Sequence, residues 1–272
     1  MLEAPLQTIP ATGIVDYRDE YLEVPLADGV WLRAVDLRPS NLLVAHHVTA
    51  YIVYPDGETP PRAEGPRFVQ GLFAGYVPGR EPEAFPADTG FFLPRGARIR
   101  LQLHYTATGK EERDTPRVGL YFAPRAPRHP LAIGAAANLD FEIPPGARDH
   151  EEVGERTLGR DVIVYRVTPH MHFRGRRMAI DAHYPDGTSE RLVSVPNYRF
   201  HWQREYVLAE PKRLPKGTRL VARAGFDNSA RNPANPDPSV AVRFGEQSFD
   251  EMLMGYFLYR EAEPEAEPIA GR

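Results

Sequence analysis

Nine histidines and no cysteine set the chemical range of this 272-residue chain. Without thiols there is no disulfide, zinc–thiolate site, iron–sulfur cluster or cysteine nucleophile. Five of the histidines fall in patterns. His46 and His47 are adjacent within LLVAHHVTAYIV, an apolar, β-branched run where two imidazoles are costly to bury unless a metal offsets the cost. Neighbours on a regular strand point to opposite faces, so two adjacent ligands for one ion require a local bulge or twist. His104 ends the alternating run RIRLQLHY and shares its face with Gln102. Alone it reads as a satisfied core or rim histidine; beside His46 and His47 it is a candidate third imidazole. His170 and His172, in VTPHMHFRG, share one face of a strand while Met171 points away. Their plain alternative is a pair of surface histidines on an edge strand. Met252, in FDEMLMGYF, ordinarily reads as core filler. Two imidazoles with a thioether, however, suit Cu(I) better than zinc, magnesium or calcium. His129, His150, His183 and His201 stand alone and read as structural or surface residues.

The elements that must hold these residues are strands. Proline and glycine recur along the whole chain, long 3.6-period apolar patterns are missing, and short alternating segments are bounded by turn residues. Strands are expected at 29–37, 42–54, 97–106, 118–123, 162–167, 177–184, 204–208, 218–226 and 251–259. YPDG occurs at Tyr54–Gly57 and again at Tyr184–Gly187; LPRGARIRLQLHY from Leu93 is echoed by LPKGTRLVARAGF from Leu214. The order of these copies predicts two similar antiparallel β-sandwich domains, 1–130 and 131–260, joined through the Pro-rich stretch 125–134. An acidic, Pro-rich tail, 261–272, is expected to be disordered.

The order HH, QLH, HMH, then DEM before an aromatic strand resembles the copper type II, ascorbate-dependent monooxygenases, the family of peptidylglycine α-hydroxylating and dopamine β-monooxygenases. The resemblance spans roughly residues 10–260, and it lies in the order of the motifs more than in any one of them. It implies two jelly-roll-like sandwiches with a solvent-filled gap between, each holding one copper. By resemblance, His46, His47 and His104 hold an electron-transfer copper, and His170, His172 and Met252 an oxygen-activating one. Gln102 stands where the family has a glutamine near the path between the domains, and Tyr256 where it has a tyrosine near the substrate. The implied reaction is hydroxylation of a C–H bond of a small organic substrate by O2, with ascorbate or another electron donor, from a redox partner for instance, as co-substrate.

Two departures bear on the substrate. Thr168 and Met254 stand where peptide-amidating members carry an arginine and an asparagine that grip a carboxylate, although Arg166 and Arg174 are near in sequence. A peptidylglycine substrate is therefore not expected. The absence of disulfides points to a distant, bacterial branch. The rival readings are a non-catalytic copper-binding or electron-transfer protein, a three-histidine zinc hydrolase on the first half alone, and a metal-free binding module.

A formal charge of −4, with cations scattered rather than striped, gives no sign of a nucleic-acid partner. No window approaches a membrane span. The N-terminus lacks the basic start and apolar run of a secretory leader. The family's compartments nevertheless imply a periplasmic or secreted protein whose leader is not in this chain. A monomer is the default expectation.

Overall fold

The computed structural model describes residues 1–58, 63–78 and 83–263. Among them are β-strands and one 3₁₀ turn at Arg67–Val69, with no α-helix and therefore no helix long and apolar enough to cross a membrane. The all-β sandwich class expected from the sequence is the class the structure has.

In the N-terminal half, Arg18–Glu23, Arg98–Tyr105, Ala45–Val53 and Leu72–Tyr76 form one antiparallel sheet in that order. Arg117–Phe122, Val30–Arg38 and Thr89–Leu93 form a second. Their apolar faces meet in a core that includes Leu32, Leu93, Ile52, Ile99, Leu101 and Leu103. The strand Ala45–Val53 is buried on nearly every residue. One face, with Val48, Ala50 and Ile52, joins this core. The other, with His47, Thr49 and Tyr51, lines a cavity shared with the C-terminal half.

In that half, His129–Asn138, Leu253–Glu261, Val162–His170 and Tyr206–Leu214 pair antiparallel in order. Through Ala137 and Glu155, His129–Asn138 leads on to His150–Thr157, Arg219–Phe226, Gly175–His183 and Ser189–Val195. Val162, Val164, Ile180, Leu220, Phe226 and Phe257 are part of its core.

The repeated phrases make the same turns. Ala97 N–H bonds to the Pro94 carbonyl and Thr218 N–H to that of Pro215. Gly96 and Gly217 sit at φ 78° and 86°, the third position of a type II turn that disfavours a side chain.

Some expectations shift. The Pro-rich stretch 125–134 includes the start of the strand His129–Asn138, which pairs in parallel with Thr89–Leu93 and so connects the sheets of the two halves. Pro130 stands second in that strand, near the end where a missing N–H costs least. The strand expected at 204–208 continues to Leu214, and the last strand continues to Glu261, into the segment read as tail. The rest of that tail, 264–272, lies outside the described residues.

Candidate metal centre

The bulge that would let adjacent His46 and His47 point to one side of Ala45–Val53 is there. Ala45 pairs with Tyr105 and His47 with His104, which leaves His46 as the extra residue. The bulge turns both imidazoles the same way. His46 Nδ1 is 3.2 Å from His47 Nδ1, and His104 Nδ1 is 3.3 Å from the same atom. All three side chains are buried, and one nitrogen from each lies within 4.8 Å of the others.

Three converging Nδ1 atoms are poorly explained as mutual hydrogen bonds. An sp² nitrogen has either one proton to give or one lone pair to accept with, so His47 Nδ1 satisfies one neighbour and confronts the other. A cation removes the conflict. Nitrogens at 2.0–2.1 Å from an ion in tetrahedral geometry lie about 3.3–3.4 Å apart, close to the spacing here. Protonation is disfavoured: burial, then the His104, His201 and His170 rings, hold His46 down to about 2. Burial and the His170 and His201 rings hold His104 down to about 3, and burial keeps His47 well below the ordinary histidine value. The imidazoles are neutral and able to ligate.

The second set is built around two strand ends. His170 closes Val162–His170 opposite Met254, and His172 follows in the connection to the next strand. Met171 points away into the core, although the strand ends at His170 and His172 lies beyond it. The His170 and His172 rings are 5.2 Å apart and nearly perpendicular. His170 Nδ1 donates to Gln203 Oε1 at 2.6 Å, while Gln203 Nε2 donates to the Phe200 carbonyl. His172 Nδ1 faces the Asp250 carbonyl at 3.3 Å. A carbonyl only accepts, so in both rings the proton sits on Nδ1 and Nε2 is bare. His172 Nε2 is buried without a hydrogen-bond partner, its lone pair free to bind a cation. Burial lowers the pKa of both rings.

Met252 lines the same cavity as His47, His170 and His172. It also packs with Ala63, Val69, Ala135 and Met254, so the core reading of this methionine and the ligand reading are compatible. Glu251 fixes it relative to the histidines. One carboxylate oxygen accepts the backbone N–H of His172 at 2.8 Å and of Met252 at 3.2 Å; the other accepts that of Arg174 at 2.6 Å. Glu251 is fully buried, and burial pushes its pKa up to about 8 against the pull of those three bonds.

The two sets adjoin. The His47 and His170 rings are 6.3 Å apart, edge to face, so the gap that the resemblance implies is narrow between these residues. The cavity, about 180 Å³, has apolar walls that include Phe68, Leu72 and Phe257, and polar groups that include Gln102, Arg166 and Thr168. Tyr256 lines it 5.9 Å from the His170 ring. Gln102 Nε2 donates to Glu246 of the C-terminal half at 3.3 Å. Arg166 is buried and bonds Glu205 at 2.7 Å. Arg174 instead bonds Asn228 and the Phe249 carbonyl and is not on the cavity wall. The Asn/Pro-rich stretch 227–238 packs over Arg174 through Asn228 and contributes no wall residue.

Sequence spacing missed several participants. His201, read as an isolated surface histidine, places Nδ1 3.0 Å from His46 Nε2. Phe200 stacks on His46 at 4.2 Å. Ser248 Oγ lies 3.1 Å from His104 Nε2 and from the Tyr17 hydroxyl. Each reaches the site across a sequence separation of more than 100 residues, for which no local motif exists. His129 and His150 keep their plain readings, beside Glu263 and Glu152 respectively.

Neither a protein-family model nor a curated protein matches the chain. Among solved structures it is similar to the VP2 subviral particle of infectious bursal disease virus, at 11% identity over 95% of this chain and 69% of that one, with a TM-score of 0.21. The Gx strain of the same virus matches at 8% over 98% and 71%, with a TM-score of 0.24. Likeness at that level carries no argument about this protein.

Proposed function

We propose that this chain is a copper-dependent monooxygenase that hydroxylates a C–H bond of a small organic substrate, using O2 and an external reductant such as ascorbate. The observation that carries the reading is two sets of neutral, buried imidazoles that meet at one cavity, His47 of the first set and His170 and His172 of the second lining it together with Met252. The donor set suits copper: imidazole is acceptable to zinc and copper alike, but a thioether selects Cu(I). Copper, when bound, supplies one-electron redox chemistry and oxygen activation.

The chain's own residues then have distinct tasks. His46, His47 and His104 would hold one ion, and His170, His172 and Met252 the other. Gln203 and the Asp250 carbonyl keep Nε2 of His170 and His172 bare, and Glu251 sets the distance between the His172 and Met252 backbones. The apolar wall around Phe68 and Tyr256 excludes water from a bound C–H group, while Thr168, Arg166 and Gln102 offer polar contacts for orientation. The compartment that fits this chemistry is the periplasm or the exterior, with the chain acting as a monomer.

Thr168 and Met254, where the resembled family grips its substrate, favour as second reading a copper-binding or electron-transfer protein without turnover. Oxygen uptake by the copper-loaded chain with ascorbate, across a panel of small apolar and aromatic compounds, separates the two. Uptake that rises in step with a hydroxylated product supports the monooxygenase. Copper that cycles between oxidation states with no product from any compound supports the carrier.

A further inference from the structure

The outward nitrogens of the three-histidine set lead into the C-terminal half of the chain. His46 Nε2 lies 3.0 Å from His201 Nδ1. His104 Nε2 lies 3.1 Å from Ser248 Oγ, itself 3.1 Å from the Tyr17 hydroxyl. We infer that His201 is a positioning residue that, together with Ser248, fixes the tautomers of His46 and His104, so that the three-histidine site is completed only by the C-terminal half. The inference rests on the reading of His46, His47 and His104 as a metal-binding set.

A neutral imidazole carries one proton on one of two nitrogens, and the other nitrogen is the ligand. In this site Nδ1 faces inward for all three rings. His46 therefore ligates only when its proton is on Nε2, and that proton needs an acceptor once the ring is buried. His201 Nδ1 is the group in place to accept it. Its own proton then sits on Nε2, on a side chain that is exposed. Ser248 Oγ accepts the Nε2–H of His104 in the same way and turns its hydroxyl proton toward Tyr17. Phe200, one residue before His201, stacks on the His46 ring with planes 18° apart and fixes its orientation. One short segment thus sets both the plane and the proton of His46, from 155 residues away.

His201 is exposed and its ring contacts are with His46 and Phe200, so its replacement removes no buried side chain from either half. Long-range ¹H–¹⁵N correlation spectra of the metal-free full chain report the tautomers directly. His46 and His104 are expected as Nε2–H in the native chain, with His46 passing to a mixture of tautomers in His201→Ala. Copper titration should show the three-histidine site weakened about 10–100-fold in His201→Ala. His201→Asn, whose side-chain oxygen accepts in place of Nδ1, should restore most of the affinity, and the His170/His172/Met252 site should not change. A His46 that is Nδ1–H in the native chain, or equal affinity in His201→Ala, overturns the inference. Failure of the native chain to bind copper at the three histidines would instead count against the proposed function, with the tautomer spectra still deciding the role of His201.

Discussion

His47 and His104 are direct partners across one antiparallel ladder, with Nδ1 atoms 3.3 Å apart, and the bulge at His46 brings a third imidazole to the same point. The first set is thus a property of two adjacent strands. Replacing His104 with Ala removes one of its three ligands without touching the HxH strand. Copper content should fall from two ions per chain to one, and reduction of the remaining ion by ascorbate should no longer sustain turnover. Loss of both ions in elemental analysis would contradict the partition into two sets.

Met252→Ile conserves volume and apolar character, so the packing against Ala63, Val69 and Met254 should cost less than about 1.5 kcal/mol. The thioether is gone, however. Oxygen-dependent product formation should be abolished while the three-histidine site keeps its copper. Retained turnover would remove Met252 from the ligand set.

Glu251→Gln replaces a carboxyl group whose two oxygens accept three backbone N–H groups by an amide with a single acceptor oxygen. The variant should lose about 1–3 kcal/mol of stability in denaturant titration. It should also bind copper more weakly at the His170/His172/Met252 site than at the three-histidine site. Equal weakening at both would mean that Glu251 acts on the fold rather than on the spacing of ligands.

Acid should destabilise the metal-free chain in a defined window. Burial holds His46 at about 2 and His104 at about 3, and lowers His47, His170 and His172 as well. The unfolded chain titrates near 6.5, so below that pH it binds protons that the folded chain refuses, and stability falls as pH falls from about 6.5 toward 3. His46 and His104 each contribute about 1.4 kcal/mol per pH unit within the window, an effect that Glu251, whose raised pKa of about 8 favours the folded chain as pH falls, offsets only in part. Thermal melts between pH 7 and 4 should show Tm dropping steeply without metal, and copper should move the drop to lower pH because it binds only the folded, neutral site. A Tm independent of pH across that range would contradict the neutral, buried state of these rings.

The sequence made the strands and the grouping of the histidines legible where local period carries the information. Alternation placed Arg98–Tyr105 and Arg219–Phe226, and the i, i+2 rule turned Met171 away from His170 and His172, toward what is the core. The adjacent His46 and His47 even implied the bulge that joins them. Illegible were contacts whose partners are far apart along the chain. Ser248 meets His104 across 144 residues, and Tyr17 meets Ser248 across 231. Strand register and loop packing decide these, and neither leaves a spacing to read. The same holds for Glu251, which looks like an ordinary acidic residue in FDEM until three backbone N–H groups are found pointing at it.

Metal content per chain, measured by elemental analysis after anaerobic loading with copper and exhaustive dialysis, tests the central claim most directly. The two ligand sets predict close to two copper ions per chain, one lost on removal of His104 and the other weakened on removal of Met252. A chain that retains no copper, or that holds zinc in its place, would contradict the account.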